Sequence, residues 1–166
     1  MSKVALRAFT EGDSATYLDW INTPSIMKGL DRVLPVTSLE HKKWYSNLIE
    51  DVSRLPFSVY LPDAQAQLGM VLLNNIDNRH RKAEVRIVIG NKIYQGKGYG
   101  KQTLLEISNF AFNKLGLSKL YAYILEGNEP SIKAFRGAEF IEEARLRKDR
   151  FIEGKFIDVL IVARWR

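Results

Sequence analysis

The chain contains no cysteine and only two histidines among its 166 residues. The absence of cysteine excludes a disulfide framework, a thiolate nucleophile and a cysteine-ligated metal site. His41 and His80 lie far apart and neither stands in an H-E-x-x-H pattern, so we expect no metal. No apolar run approaches the roughly 20 residues of a membrane span, and the first residues lack the apolar stretch of a signal peptide. These absences predict a cytoplasmic protein with no membrane partner.

The composition is that of a globular protein, with 46% hydrophobic and 27% charged residues. A chain of this length can bury a full core, and we predict one domain over residues 1–166. The formal net charge of +6 suits an anionic partner such as a polyphosphate cofactor, a nucleotide-linked substrate or nucleic acid. Simple solubility explains the same charge equally well.

The stretch Val85–Ile107 joins an apolar, β-branched run to a glycine cluster and then to a segment with helical apolar spacing. It predicts a strand, a loop and the start of a helix. Three glycines at alternate positions leave the backbone free of Cβ atoms, so successive N–H groups can turn toward one ligand. The first turn of the helix adds partial positive charge beside Lys97 and Lys101. The stretch therefore predicts a phosphate or pyrophosphate site.

The spacing of these glycines decides between known phosphate-binding loops. Gly96, Gly98 and Gly100 form G-x-G-x-G, which is neither the G-x-G-x-x-G of dinucleotide-binding folds nor a P-loop. What remains is Q-x-x-G-x-G, beginning at Gln95. This pattern resembles the pyrophosphate loop of the GNAT superfamily of N-acetyltransferases, which bind acetyl-CoA. The alternative is a glycine-rich turn that only begins a helix.

The patterns elsewhere predict an α/β domain. Alternating apolar residues predict three strands in an antiparallel meander, over 57–61, 67–73 and 83–89. The glycine loop and its helix then lead to a strand at 119–125, which should lie parallel to the third strand of the meander. A hairpin of 140–150 and 155–165 ends the chain. A helix capped by Ser38 should run to about Val52, whereas residues 25–36 fit a short helix or a packed loop.

A second block strengthens the resemblance. Asn128, Ser131, Phe135 and Phe140 are similar to the N-x-x-S-x-x-x-[YF] pattern and the following phenylalanine of the superfamily. Further short patterns resemble the branch of ribosomal-protein N-terminal and polyamine acetyltransferases, so that the similarity covers nearly the whole chain: Leu6-Arg7, Trp20-x-Asn22, His41-x-x-Trp44 and Gly154-x-x-x-Asp158. The resemblance implies a mixed, mostly antiparallel twisted sheet with a parallel central strand pair and helices on both faces.

The resemblance also implies an activity, the transfer of an acetyl group from acetyl-CoA to a primary amine. Glu84 is the expected general base and Ser131 the expected proton donor to the leaving thiolate. For Glu84, an exposed carboxylate paired with Arg86 is an equally weighted alternative. The residues expected to bind the cofactor are Ile87, Val88, Ile89, Gln95, Gly96, Lys97, Gly98, Tyr99, Gly100, Lys101, Asn128, Ser131 and Lys133.

Two positions depart from the family pattern. Phe135 stands where a tyrosine often protonates the leaving group, and Glu139 replaces the usual glycine, with a glycine two residues earlier at 137. We therefore expect the turn near Glu139 to be displaced by two residues. Because this tyrosine is missing, an inactive CoA-binding sensor remains an alternative function.

The acceptor and partners are less defined by the sequence. A protein N-terminus, a polyamine, an aminoglycoside and a nucleotide-linked amino sugar all remain open as acceptors, and a homodimer is a further expectation. The basic segment Arg145–Arg150, with Phe151 nearby, offers a nucleic-acid-binding module as the alternative function. Charges of this kind also protect edge strands from pairing with other strands. This explanation of the charges is stronger than a nucleic-acid-binding function.

Overall fold

A computed structural model describes residues 2–166. The helices are α1 (Glu11–Ile21), α2 (Pro24–Gly29), α3 (Ser38–Glu50), α4 (Tyr99–Asn113) and α5 (Glu129–Gly137). The strands are β1 (Ala5–Ala8), β2 (Leu55–Leu61), β3 (Ala66–Asp77), β4 (Lys82–Ile89), β5 (Lys119–Leu125), β6 (Ile141–Ile152) and β7 (Lys155–Trp165). Among these described residues, no helix is both long and apolar enough to cross a membrane.

All seven strands form one sheet in the order β1-β2-β3-β4-β5-β7-β6. Every neighbouring pair is antiparallel except β4 and β5, which are parallel. The helix α4 makes the crossover between these two strands, as a parallel connection requires. The predicted meander, the parallel central pair and the final hairpin are therefore confirmed.

Helices cover both faces of the sheet, as predicted. Helices α4 and α5 bury Leu104, Ile107 and Phe135 against one face in the larger core. Helices α1 and α3 bury Tyr17 and Leu48 against the other face, where they meet the side chains of Met70, Leu72 and Val88. Because strand side chains alternate between faces, β4 sends Val85, Ile87 and Ile89 to the first core and Val88 to the second.

The cap of helix α3 lies one residue earlier than predicted. Thr37 accepts a hydrogen bond from the Glu40 N–H at 3.2 Å, and the Glu40 carboxylate accepts one from the Thr37 N–H at 2.8 Å. This reciprocal capping box makes Thr37 the cap and Ser38 the first helical residue, so the predicted cap was wrong. The helix ends at Glu50, two residues before its predicted end near Val52, which is 98% exposed.

The segment 25–36, which the sequence left between a short helix and a loop, contains both. Pro24–Gly29 form α2, with the proline in the first turn where its missing N–H costs nothing. The loop that follows is held to α1 by Asn22, whose amide donates to the Val36 carbonyl at 2.9 Å and accepts from the Val36 N–H at 2.8 Å. These two bonds fix the loop beside the second core.

Candidate active site

The parallel strands β4 and β5 pair over only three positions and then separate. Lys82, Ala83 and Glu84 pair with Lys119, Leu120 and Tyr121, and the pairing stops there. Beyond that point β4 continues beside β3 and β5 continues beside β7. A gap therefore opens toward the carboxyl ends of both strands, and the backbone of Ile87, Val88 and Ile89 borders it. These three residues are among those predicted to bind the cofactor.

The glycine loop lies at one side of this gap. Gly96 and Gly98 have φ angles of 71° and 83°, in the left-handed region that favours glycine. Gly98 caps α4 without a side chain. Within residues 2–166 we find no acceptor for the six successive N–H groups from 96 to 101. Six unpaired donors at a helix start form the anion-binding arrangement that a pyrophosphate needs.

Close packing fixes the position of this loop against α5. A Cβ built on Gly100 would lie 3.4 Å from the Ala134 Cβ, and one built on Gly137 would lie 3.2 Å from the Lys101 side chain. Gln95 ties the loop to β4, because its side-chain amide donates to the Ile89 carbonyl at 2.8 Å. The predicted loop residues are thus together, with Gln95 anchoring the loop through its side chain.

The other side of the gap is formed by the start of α5. Asn128 follows β5 and caps α5, where its side-chain oxygen accepts from the Ser131 N–H at 3.3 Å. Ser131 is half-buried and Lys133 is exposed on the same helix. The structure therefore places Asn128 and Ser131 across the gap from the loop, and Lys133 farther out on the surface.

Glu84 lies at the closed end of the gap, where the pairing of β4 and β5 stops. It is only 4% exposed, so the alternative of an exposed carboxylate is wrong, although its pairing with Arg86 is observed. Arg86 donates to both of its oxygens, through Nε at 2.6 Å and Nη2 at 3.1 Å. The amides of Asn74 and Asn75 also donate to Oε2, at 2.9 and 3.3 Å. Four donors thus hold one buried carboxylate.

Sequence reasoning missed Asn74 and Asn75 as partners of Glu84. Their signal was present in the meander, because an antiparallel register that pairs apolar positions of β3 and β4 brings Asn74 opposite Glu84. Tyr121 lies beside Glu84 on the next strand. Burial, and next to it the Glu84 charge, raise the pKa of the Tyr121 phenol above its ordinary value.

The two departures from the family pattern are both placed by the structure. Phe135 is buried and meets Phe140 edge-on, with ring centroids 5.0 Å apart. Glu139 has a φ of 67° and directly precedes Phe140, so the turn keeps its usual position although the glycine is absent. The expected displacement by two residues was wrong, because the chain reverses at Glu139 and Gly137 still belongs to α5.

His41 is a structural residue of the second core. It is 5% exposed, and its Nε2 lies 2.8 Å from both the hydroxyl and the carbonyl oxygen of Ser14. Its ring stacks on Trp44 at 5.0 Å. These contacts engage the Nε2 of His41 with Ser14.

Comparison with known proteins agrees with this geometry. The model of the acetyltransferase (GNAT) domain matches residues 3–141. The chain belongs to the GNAT acetyltransferase family. It is a GNAT acyltransferase that moves an acetyl group from acetyl-CoA to a primary amine, as the sequence predicted.

Relatives of this GNAT enzyme cover almost its whole length. Spermidine N(1)-acetyltransferase of Vibrio cholerae is 30% identical over 95% of this chain and 90% of that protein. Human alpha/beta-tubulin-N-acetyltransferase 9 is 26% identical over 86% of this chain and 74% of that protein. The crystal structure of the Vibrio cholerae spermidine N-acetyltransferase with CoA and spermine has a TM-score of 0.88 at 27% identity, covering 98% and 95% of the two chains.

Proposed function

We propose that residues 1–166 form one N-acetyltransferase domain whose substrates meet in the gap between β4 and β5. Acetyl-CoA enters from the side of α4, and the acceptor amine enters from the side of α1. The gap itself carries this proposal. Unpaired N–H groups border it at the glycine loop, and Glu84 and Tyr121 stand where it closes.

The residues around the gap fit the parts of acetyl-CoA. The free backbone edge of β4 suits the pantetheine amides, which would pair like an added strand. The glycine loop suits the pyrophosphate, with Lys97 and Lys101 as counter-charges, and Lys133 suits the more distant phosphate. Bound acetyl-CoA supplies the thioester carbonyl. The residues in these roles are Ile87, Val88, Ile89, Gln95, Gly96, Lys97, Gly98, Tyr99, Gly100, Lys101, Asn128, Ser131 and Lys133.

Glu84 acts as the general base. The amine nitrogen bonds to the acetyl carbon, the carbon–sulfur bond breaks, and the amine proton passes to Glu84 Oε2. Of the four donors on this carboxylate, Asn75 makes the longest contact and is exposed. An incoming amine therefore reaches Oε2 by displacing the Asn75 amide. General-base assistance of this kind contributes roughly 10²–10⁴-fold to rate.

Ser131 donates a proton to the departing sulfur. Its N–H is held by Asn128, and within residues 2–166 we find no intramolecular partner for its hydroxyl. Phe135, at the family's tyrosine position, carries no proton to give and is buried in the core. Ser131 is thus the hydroxyl on α5 that is available at the gap.

A thermal melt with acetyl-CoA, coenzyme A and ATP in parallel tests the cofactor site. At 100 times the dissociation constant, a ligand adds about 2.7 kcal/mol to the free energy of unfolding. We expect both coenzyme A species to raise the melting temperature and ATP to leave it unchanged. No shift with any of them would contradict the proposal.

Variants of Gly98 supply the matched control. Gly98→Ala and Gly98→Asp share the strain of a side chain at a φ of 83°, but only aspartate adds a negative charge facing the pyrophosphate. We expect the stabilisation by acetyl-CoA to persist, though weakened, in the alanine variant and to vanish in the aspartate variant.

The predicted homodimer and cytoplasmic location stay predictions, and size-exclusion chromatography tests the first.

A further inference from the structure

Two consecutive residues of β3, Asn74 and Asn75, donate to the same oxygen of Glu84. Their amides reach Oε2 at 2.9 and 3.3 Å. In a regular strand, successive side chains point to opposite faces of the sheet, so neighbours do not normally share one atom. The backbone of β3 must therefore depart from a regular strand at this point.

A β-bulge in β3 provides this departure. Asn74 pairs with Glu84. The next pair joins Asp77 to Lys82, so two residues of β3 stand opposite one residue of β4. Asn75 lies in this bulge with a φ of 51°, in the left-handed region that glycine and asparagine adopt most readily. The bulge turns the Asn75 side chain onto Glu84, and bulges often redirect side chains in this way next to active sites.

The backbone of the bulge is held by the connection between α3 and β2. The N–H of Ile76, the other residue of the bulge, donates to the Ser53 carbonyl at 2.9 Å. Ser53 is held in turn, because its own N–H and hydroxyl donate to Asp51 at 2.9 and 2.7 Å. The backbone beside Asn75 is therefore fixed, whereas the Asn75 side chain is exposed.

The two amides differ in how easily they can leave Glu84. Asn74 is 4% exposed, so water cannot readily replace the carboxylate as its partner. Asn75 is exposed and makes the longest of the three contacts on Oε2, which has only two lone pairs to offer. Among residues 2–166 we find no donor to the Oδ1 of Asn75. Asn75 can therefore turn away from Glu84 without leaving a buried group unpaired.

We propose that Asn75 binds the substrate amine through Oδ1 once the amine has taken its place on Glu84. The inference rests on the proposed function and adds a residue to its site. A neutral primary amine has two N–H groups and one lone pair. Glu84 Oε2 accepts one N–H and Asn75 Oδ1 accepts the other, so the lone pair is directed at the acetyl carbon. Held by one hydrogen bond alone, the nitrogen would rotate and the lone pair would lose this orientation.

A carboxamide suits both states of the site. Before the amine binds, the ionised Glu84 carboxylate can only accept, so Asn75 presents Nδ2 to it. When the amine is bound, rotation of the same amide presents Oδ1 to the second N–H. A side chain with only donors or only acceptors would serve one of these states and not the other.

Steady-state kinetics of Asn75→Gly test the proposal. Coenzyme A release by the wild type is measured with spermidine, glucosamine and a peptide that begins with alanine, and the fastest of these amines is used for the variants. Glycine accommodates the left-handed φ and removes the amide. We expect a higher KM for the amine and a fall of at least about tenfold in kcat/KM, with an unchanged KM for acetyl-CoA.

Asn75→Asp separates binding of the amine from support of Glu84. Aspartate keeps an oxygen that accepts from the amine, but it cannot donate to Glu84 and its charge repels that carboxylate. We expect this variant to lose stability in chemical denaturation, yet to keep a KM for the amine closer to wild type than that of Asn75→Gly. If Asn75 only supported Glu84, aspartate would raise this KM more than glycine does, and that result would overturn the proposal.

Gln65→Gly is the matched control. Gln65 is exposed and also has a left-handed φ, of 47°, directly before β3 and at the end opposite the bulge. Glycine is placed in the same backbone conformation in both variants, so we expect neither to lower the denaturation midpoint appreciably and only Asn75→Gly to lose activity. Wild-type kinetics for Asn75→Gly would overturn the inference and leave the acetyltransferase intact, whereas turnover of none of the three amines by the wild type would overturn both.

Discussion

The indole of Trp20 packs directly on the backbone of Gly90, where a Cβ would lie 2.1 Å from the ring. Gly90 follows β4 and leads into the glycine loop, whereas Trp20 belongs to α1. The contact therefore ties α1 to the segment that leads into the glycine loop. Only a residue without a side chain allows the two to approach this closely.

A methyl group at residue 90 should separate these two elements. We expect Gly90→Ala to lower the free energy of unfolding by about 1–3 kcal/mol, the usual cost of overpacking, and to raise the KM for acetyl-CoA. Chemical denaturation and steady-state kinetics measure the two effects. Gly12→Ala in α1, where a Cβ meets no atom closer than 3.8 Å, is the control and should not destabilise. Wild-type stability of Gly90→Ala would show that Trp20 moves freely.

Glu139 should be a site where glycine stabilises the protein. Its left-handed φ of 67° costs a residue with a Cβ roughly 1 kcal/mol or more. The Glu139 side chain, which pairs with Arg164, is 71% exposed, and an ion pair with a partner this exposed contributes about 0–1 kcal/mol. We expect Glu139→Gly to match or exceed the wild-type free energy of unfolding in chemical denaturation. Glu139→Ala keeps the strain and loses the ion pair, so it should be the least stable of the three.

Sequence patterns predicted the parts of the site that depend on local backbone. The alternating apolar residues of β4 and the glycines after it were enough to predict the strand, the loop and the parallel neighbouring strand. Hydrophobic periodicity and turn residues are local properties of the sequence. The gap itself required knowing where β4 and β5 stop pairing, and no local pattern around Glu84 or Tyr121 marks that point.

Side-chain environments were the part that sequence could not supply. Glu84 is buried because Asn74 and Asn75 arrive from β3 to satisfy it, which depends on strand register. The capping box at Thr37 was visible as T-x-x-E, but an adjacent serine offered a competing cap. Glu139 adopts the left-handed turn that a glycine usually forms at this position, because the packing of Phe140 outweighs the local backbone preference.

His41 should make the protein less stable in mild acid. Burial holds the pKa of His41 below its ordinary value, against the opposing effect of the hydrogen bond that its ring donates to the Ser14 carbonyl. Below about pH 6.5 the unfolded chain binds a proton that the folded chain does not, so the free energy of unfolding falls as pH falls toward the folded pKa. Melts at pH 7.5 and 5.5 should show a smaller decline in His41→Gln than in wild type. His80→Gln, in an exposed turn, should decline as wild type does.

Loss of the Ser131 hydroxyl should affect the chemical step more than binding. We expect Ser131→Ala to lower kcat by about 10-fold or more, since a general acid contributes roughly 10²–10⁴-fold, with a smaller change in the KM for acetyl-CoA. Ser131→Thr keeps a hydroxyl and should retain more of kcat. Equal loss in both variants would indicate that Ser131 only supports the start of α5.

Removal of the Glu84 carboxylate should give a defect that depends on pH. An alkylamine with a pKa near that of lysine, about 10.4, is almost fully protonated at pH 7 and needs a base before it can attack. We expect Glu84→Gln to lower kcat/KM by roughly 10²-fold or more at pH 7, and by less at pH 10, where free amine is abundant. Arg86→Gln leaves the carboxylate in place and should not show this pH-dependent recovery. A Glu84→Gln defect of the same size at both pH values would instead mean that Glu84 serves to orient Arg86.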